Sequence, residues 1–166
     1  MTRWILGIAI GLVALVGLAW IVGLTLPKRH RASRTVAFAA APSVVFAAIS
    51  DFKRYSEWRS DVKKIDVEGD GRQGALVREE NKTGTIPYRV EVLAPPSRLV
   101  MRIADPKLPF GGTWTYELQP AGDGTSVTLT EDGEVYNPIF RVMQKFFFSP
   151  YKTIDTFLGN LKRRVG

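Results

Sequence analysis

The side chains of this sequence that could do chemistry are a few carboxylates and tyrosines, because the usual nucleophiles and metal ligands are scarce. The chain has no cysteine and one histidine, His30, which we expect to be solvated in a basic stretch. This composition excludes disulfides, a zinc site of His and Cys, and a Ser-His-Asp triad. General acid–base work would fall to Glu131, Glu79, Glu80 or Tyr88, with an arginine to stabilise an enolate. No nucleophile motif accompanies them, so the sequence assigns no catalytic residue, metal or cofactor.

Glu131 is expected to point inward at the end of its strand. Within Thr125–Glu134 it shares the apolar face of Val127 and Leu129, because side chains alternate along a strand. A buried carboxylate needs a partner or takes up a proton. Glu131 is therefore either a polar anchor for a ligand or half of a structural salt bridge, with an arginine from the next strand.

The same alternation indicates other side chains that share the inner face of the predicted sheet. Between residues 74 and 82 the parity is ambiguous, because Val77 and Glu79 share one face and Glu80 lies on the other. Trp58 either covers an entrance or packs a loop. Core packing explains such stripes as well as a ligand does. The candidates for lining a site are Trp58, Glu79, Tyr88, Met101, Trp114, Tyr116, Glu131 and, on the predicted C-terminal helix, Met143 and Phe147.

The elements that must position these residues begin with a strand at Arg34–Ala39 and a helix that opens at Pro42. A second short helix is predicted at about 52–57. Six strands follow, parted by turns such as Gly69-Asp70-Gly71. No β-α-β pattern occurs, which favours an antiparallel sheet. The six strands are predicted at about 64–67, 74–82, 85–93, 99–104, 112–118 and 125–135.

A long amphipathic helix is predicted for the last thirty or so residues. Asn137 is a good N-cap and Pro138 a good first helical residue. Pro150 should kink the helix, because proline removes a backbone donor. The sequence thus predicts an α+β fold in which a curved antiparallel sheet of about seven strands wraps around this helix. Its apolar stripe comprises Phe140, Met143, Phe147, Tyr151, Ile154, Leu158 and Leu161.

An uncharged run from Trp4 to Leu26 predicts one N-terminal transmembrane helix. Its 23 residues would span about 34 Å as a helix, enough for the hydrocarbon core of a bilayer. A cleaved signal peptide is the competing interpretation, but its apolar stretch is usually shorter. The predicted organisation is an anchor at 1–27, a basic juxtamembrane linker at 28–33 and one domain at 34–166.

Basic residues flank the predicted span unequally. Arg3 precedes it, and Lys28, Arg29, Arg31 and Arg34 follow it. The positive-inside rule then places the N-terminus outside and the domain on the cytoplasmic side. These residues also account for most of the net charge of +7, since 35–166 hold 18 basic and 16 acidic residues, a net charge of +2.

The nearly neutral domain argues against a nucleic-acid partner, and the basic cluster suits either anionic lipid or a topology signal alone. The expected partner of this part of the chain is therefore the bilayer. Gly7 and Gly11 form a G-x-x-x-G pattern that could pair two copies of the helix, although glycine is common in such spans.

The domain resembles the START-like (helix-grip, SRPBCC) superfamily, in particular its polyketide cyclase/dehydrase branch. The resemblance covers about residues 34–165. It rests on D-F-x-x-Y-x-x-W at 51–58, G-G-T-W-T-Y at 111–116 and T-E-D-G-E at 130–134. It implies a cavity between the sheet and the long helix that holds an apolar or amphipathic molecule. Members bind lipids, hormones, quinones or polyketides, and only some are catalysts.

Three functions follow as hypotheses. The first is a membrane-anchored domain that binds a lipid, isoprenoid or quinone drawn from the bilayer. The second is a polyketide cyclase or dehydratase, which predicts convergent polar groups with a perturbed pKa. The third is a membrane-tethered interaction module, which predicts an exposed apolar patch.

Overall fold

The computed structural model describes residues 2–166. The helices are α1 (Thr2–Thr25), α2 (Pro42–Ser50), α3 (Tyr55–Trp58), α4 (Pro138–Phe147) and α5 (Tyr151–Val165), with a 3-10 turn at Phe52–Arg54. The strands are β1 (Arg29–Phe38), β2 (Lys64–Glu68), β3 (Leu76–Glu80), β4 (Thr85–Ala94), β5 (Arg98–Ile103), β6 (Phe110–Ala121) and β7 (Gly124–Val135). The order of elements confirms the α+β fold that the sequence predicts.

All seven strands form one antiparallel sheet in the order β1-β7-β6-β5-β4-β3-β2. Strands β2 to β7 are joined as successive hairpins, and β1 is the edge strand that pairs with β7. The β6–β7 hairpin is tight because Gly122 lies in the left-handed region, with φ of +57°, which costs glycine little. The two strands then pair in register from Ala121 opposite Gly124 to Phe110 opposite Val135.

The core lies between the concave face of the sheet and α5. The inner face of α5 buries Ile154, Phe157, Leu158 and Leu161, each 0–3 % exposed. Val127 and Leu129 on β7 are completely buried opposite them. Helix α2 closes one side of this core with Val45, Phe46 and Ile49.

Strand β1 begins at Arg29, five residues earlier than the sequence analysis places it. Residues 29–33, assigned there to a linker, pair with Glu134 to Thr130 of β7. The reason is that β7 extends to Val135, so its backbone groups can form hydrogen bonds with residues 29–33. Cross-strand pairs of opposite charge support the pairing, with Arg29 Nε 3.0 Å from a Glu134 oxygen. The apolar helix is thus joined to the sheet with almost no free chain.

The C-terminal helical region consists of two helices. Asn137 caps α4 as predicted, since its side chain accepts bonds from the amides of Ile139 and Phe140. Instead of a kink, residues 148–150 interrupt the helix, and α5 begins directly after Pro150. Proline cannot supply the backbone donor that a continuous helix would need. Only α5 occupies the concave face of the sheet. The break lets α4 pack against α1, so the predicted single apolar stripe along both helices is wrong for the α4 half.

Helix α1 is apolar and mostly exposed. Its segment Trp4–Thr25 is long and apolar enough to cross a membrane, a property that signal sequences share. Where it meets α4, its least exposed residues follow at three- and four-residue steps, which defines one packed face. They are Ala19, Val22, Gly23 and, just past the helix, Leu26.

Candidate functional site

A small cavity lies between α5 and the inner face of the sheet. Its volume is about 30 Å³, room for about two water molecules. Strands β3 to β6 supply the floor and α5 the roof. The lining residues are Arg59, Glu79, Tyr88, Met101, Trp114, Tyr116, Thr153 and Phe157.

A buried ion network forms the polar end of this cavity. Arg59 follows α3 and donates from Nη1 to Glu79 Oε1 at 2.7 Å. It also donates from Nη2 and Nε to the two carboxylate oxygens of Asp61, at 2.5 and 3.4 Å. Arg59 and Glu79 are 8 % and 6 % exposed. Asn160 of α5 donates to Asp61 at 3.4 Å, which ties the network to the roof.

Burial shifts the pKa values of this network. Burial raises the pKa of the Glu79 carboxyl, and the nearby Arg59 charge offsets this only in part. Burial acts to lower the pKa of Arg59, but the charges of Glu79 and Asp61 outweigh it and leave that pKa above its usual range. The raised pKa of Arg59 and the raised pKa of Glu79 are compatible, because two carboxylates act on the one arginine while its single charge is divided between them. Arg59 therefore stays charged while Glu79 binds a proton more readily than an ordinary glutamate.

Two tyrosine hydroxyls face the cavity, one from β4 and one from β6, on either side of β5. Burial raises the pKa of Tyr88 and of Tyr116, so both are neutral phenols. Every completely enclosed side-chain polar atom of residues 4–166 has a hydrogen-bond partner, and neither hydroxyl bonds to another of these residues. Both hydroxyls are therefore open to the cavity, where each can donate one hydrogen bond and accept others.

Aromatic side chains pack the rest of the cavity. Phe157 of α5 lies 5.1 Å from the Tyr116 ring and 5.6 Å from the Trp58 ring, between centroids. The Arg59 guanidinium carbon lies 5.2 Å from the centre of the Phe157 ring, within the range of a cation–π contact. The cavity therefore has apolar walls and one charged, hydrogen-bonded end.

Sequence comparison identifies the family of the chain. A model of the family described as polyketide cyclase/dehydrase and lipid transport matches residues 29–166. The chain belongs to this family. No curated protein sequence matches the chain.

Solved structures with the fold of this polyketide cyclase/dehydrase domain have diverse descriptions. Norcoclaurine synthase from Thalictrum flavum, in complex with dopamine and hydroxybenzaldehyde, matches with a TM-score of 0.69 at 11 % identity over 87 % of this chain and 90 % of that one. A START superfamily protein from Mycobacterium smegmatis gives 0.64 at 21 % identity over 82 % and 97 %. The Mll3558 protein from Rhizobium loti gives 0.65 at 22 % identity over 81 % and 96 %. These similarities establish the fold, and the chemistry has to be inferred from the residues of the site.

Five of the nine candidate residues come together at the cavity of this polyketide cyclase/dehydrase domain, and their ligand-binding role stays a prediction. They are Glu79, Tyr88, Met101, Trp114 and Tyr116. The structure also resolves the parity of β3, because Glu79 is buried and Glu80 exposed. Trp58 packs edge-on against Tyr55 and Phe157, at centroid distances of 5.4 and 5.6 Å. This contact matches the loop-packing alternative for Trp58.

Glu131 lies beside the cavity, not in its lining. Its Oε1 is 3.4 Å from Nε2 of His30 on β1, and the His30 ring also contacts the Gln144 amide at 3.1 Å. The partner of Glu131 is thus a histidine, where the sequence analysis expected an arginine. The expectation that His30 is solvated is wrong, because its side chain is 22 % exposed. Strand β1 extends through His30 and directs the ring towards β7 and α4.

Met143 and Phe147 lie away from the cavity on the exposed face of α4, 39 % and 77 % exposed. The helix break before Pro150 carries them off the sheet. Sequence reasoning missed three lining residues, Arg59, Thr153 and Phe157. Phe157 could have been found, because it follows Ile154 by three positions on the helical stripe. Arg59 could not, because its partner Glu79 is twenty residues away.

The polar side chains of the cavity can bind a polar group and exchange a proton with it. Within residues 4–166 the His, Asp and Glu side chains form no group of three that could hold a metal ion. Glu79 can take up and release a proton, and the two tyrosines can bond a carbonyl or hydroxyl oxygen.

Proposed function

We propose that this protein is a membrane-anchored domain that binds an uncharged amphipathic molecule, of the isoprenoid or quinone kind, between its sheet and α5. The observation that carries the proposal is the pairing of apolar walls with two free hydroxyls, those of Tyr88 and Tyr116. Ligand sites are mostly apolar with a few placed polar groups. The hydroxyls would bond the oxygen of a ligand head group.

The charge at the polar end favours an uncharged head group. Arg59 is already paired with Glu79 and Asp61, so it has no free charge to offer a carboxylate or phosphate. An anion at this end would also meet two carboxylates, and removing it from water costs several kcal/mol. Carbonyl and hydroxyl head groups avoid this cost. We therefore expect a quinone or an isoprenoid alcohol to bind better than a fatty acid.

A cavity of about 30 Å³ is too small for such a molecule, so binding requires the domain to open. The START-like fold offers a route at the N-terminal end of α5. Thr153 lines the cavity in the first turn of that helix, directly after the break at residues 148–150. A helix that begins at a break can tilt at that end while its buried C-terminal half stays in place. We propose that the ligand enters there.

The N-terminal helix supports a ligand drawn from the bilayer. Trp4–Thr25 has the length and composition of a membrane span, and β1 begins four residues after it. Four residue steps span at most about 14 Å when fully extended, so the domain would stay close to the membrane surface. A pocket at this position sees a high local concentration of membrane-dissolved molecules.

The test uses the full chain in nanodiscs and quenching of tryptophan fluorescence by a decyl-substituted benzoquinone. Trp114 lines the cavity, and Trp4 and Trp20 are changed to phenylalanine to remove the background of α1. We expect saturable quenching that a long-chain alcohol displaces more effectively than palmitate. The Y88F/Y116F pair should weaken binding about ten-fold or more, at about 1 kcal/mol for each lost hydrogen bond.

Tyr136→Phe is the matched control, because that hydroxyl bonds Glu134 on an exposed surface. It should leave the affinity unchanged. Linear quenching that does not saturate, or equal affinity in all variants, would refute a specific site at the tyrosines. Tighter binding of palmitate than of the alcohol would refute the charge argument.

An acid–base enzyme is the second candidate, favoured by the raised pKa of Glu79 in a cavity that Tyr88 also lines. Such a pair could move a proton on a bound carbonyl compound. Mass spectrometry of lipid extracted with the wild type and with Glu79→Gln separates the two functions. An enzyme should accumulate a different molecule in the variant, whereas a binding protein should retain the same molecule in a different amount.

A further inference from the structure

Helix α4 carries an apolar face that nothing in residues 4–166 covers. At 100° per residue, its exposed aromatic and methionine side chains fall within an arc of about 120°. Phe148 extends the face into the break. The exposed fractions are 46 % for Phe140, 39 % for Met143, 66 % for Phe146, 77 % for Phe147 and 59 % for Phe148. Five neighbouring large side chains make a patch of the kind that marks an interaction surface.

The opposite face of α4 is fixed to α1. Arg141, 5 % exposed, donates to the carbonyls of Gly23, Val135 and Tyr136 at 2.8–3.1 Å. Gly23 packs so closely on Pro138 that a Cβ there would lie 2.1 Å from the proline oxygen. The orientation of α4 relative to α1 is therefore set by close packing and a buried arginine.

The contact lies at the C-terminal end of α1. The packed residues of α1 run from Ala19 to Leu26, whereas those from Trp4 to Leu18 are all exposed. Measured from Trp4 at 1.5 Å per residue, a hydrocarbon core of about 30 Å ends near residue 24. If α1 crosses a bilayer, α4 lies beside the last turns of α1, where that helix leaves the hydrocarbon core. Its apolar face is then at the depth of the lipid head groups and upper acyl chains.

Charge along this part of the chain suits an anionic lipid surface. Residues 135–154 contain the exposed Lys145 and Lys152, the buried Arg141, and no aspartate or glutamate. Lys145 lies on the side of α4 away from the aromatic face, as in helices that lie in a membrane interface. Lys28 adds a further exposed positive charge next to the end of α1.

We propose that α4 lies in the membrane interface, with Phe140, Met143, Phe146, Phe147 and Phe148 inserted among the lipids. The inference goes beyond the proposed function and rests on one part of it, the membrane anchoring of α1. The occupant of the face is the bilayer, because α1 brings the bilayer to this position. The packing of α4 on α1 joins the domain to the anchor, and insertion of α4 would in addition fix the tilt of the domain relative to the membrane plane.

This orientation has a consequence for the cavity. Inserting α4 places residues 148–150 at the lipid surface, and Thr153 of the cavity follows within one helical turn. The route proposed above at the start of α5 would then open towards the acyl chains. A molecule could pass from bilayer to cavity without crossing water.

The test measures depth at single labelled positions in the full chain. Since the sequence has no cysteine, Phe147→Cys, Lys145→Cys, Leu12→Cys and Asp123→Cys each give one site for an environment-sensitive dye. The variants are reconstituted in vesicles of phosphatidylcholine and phosphatidylglycerol, with and without a doxyl-labelled lipid. Circular dichroism checks that each variant is folded. Leu12 reports on α1, and Asp123, on the β6–β7 turn, reports on the exposed domain surface.

We expect the doxyl lipid to reduce emission at least about two-fold at positions 147 and 12, and little at 145 and 123. Quenching at 12 without quenching at 147 would overturn the proposal and leave the anchor intact. An apolar emission spectrum at 147 without lipid quenching would also overturn it, because the face would then be covered by protein. Loss of quenching at both positions would overturn the anchoring itself, and the insertion of α4 with it.

Discussion

Glu79 Oε1 lies 2.7 Å from Arg59 Nη1 in a buried ion pair that closes one end of the cavity. The pair joins β3 to the chain after α3, and Asp61 and Asn160 extend it to α5. The polar end of the site is therefore also a link between the sheet and the helix that covers it. Changes in the pair should affect both stability and binding.

Arg59→Ala should destabilise the domain by about 3–5 kcal/mol, because it leaves the Glu79 carboxylate buried without its partner. The measurement is the free energy of unfolding of the full chain in detergent, from urea titration. Arg54→Ala is the matched control, since Arg54 pairs with Glu57 on an exposed surface and should leave stability unchanged. Equal stability of the two variants would mean that the buried pair contributes nothing net.

The raised pKa of Glu79 predicts a pH dependence of stability. Between its ordinary value of 4.5 and the higher folded-state value, the folded chain holds more protons than the unfolded chain. Raising the pH through this interval therefore favours unfolding, and the stabilising contribution is complete only below it. Exposed carboxylates with lowered pKa, such as Glu57, have the opposite effect.

The difference between the wild type and Glu79→Gln isolates the contribution of Glu79. We expect the stability of the wild type relative to this variant to fall as the pH rises above about 4.5, as measured by urea titration at a series of pH values. A relative stability that rises with pH would show that Arg59 lowers the pKa of Glu79 instead.

Phe157→Ala should lower the free energy of unfolding by about 3–5 kcal/mol, because it leaves a void in a packed aromatic cluster. Phe157 is 2 % exposed and lines the cavity. The same change should enlarge the cavity and tighten binding of the benzoquinone probe, once enough protein is folded. Phe147→Ala on the exposed face of α4 is the control and should alter neither quantity in detergent. Weaker binding by Phe157→Ala would identify the ring as a ligand contact.

The fold follows from local signals, whereas the site depends on non-local ones. Proline-opened helices, glycine turns and strand alternation each act within a few residues, and they predict the seven strands and the cap at Asn137 correctly. Alternation also directs Tyr88, Met101 and Tyr116 to the cavity. The pairing of Arg59 with Glu79 and the contact of His30 with Glu131 join distant segments. No periodicity in either segment specifies such a partner.

The placement of α4 escaped the sequence analysis for a related reason. Phe140, Met143 and Phe147 continue the helical stripe of α5, so periodicity alone assigns both stripes to one core. The break before Pro150 gives α4 an independent direction, and the contact with Gly23 then fixes it. The sequence of an apolar helical face does not indicate whether protein or lipid covers that face.

Gly23→Ala tests the contact between α1 and α4. The added methyl would lie 2.1 Å from the Pro138 oxygen, so the two helices must separate and the bond from Arg141 to the Gly23 carbonyl lengthens. We expect faster hydrogen exchange of the α4 amides, measured by mass spectrometry on the full chain in nanodiscs. Gly17→Ala is the matched control, because a Cβ at Gly17 meets nothing within 4 Å and the change raises helix propensity equally. Unchanged exchange in α4 for both variants would show that the lipid surface alone holds the helix. Faster exchange in Gly23→Ala alone would show that packing on α1 sets the position of α4.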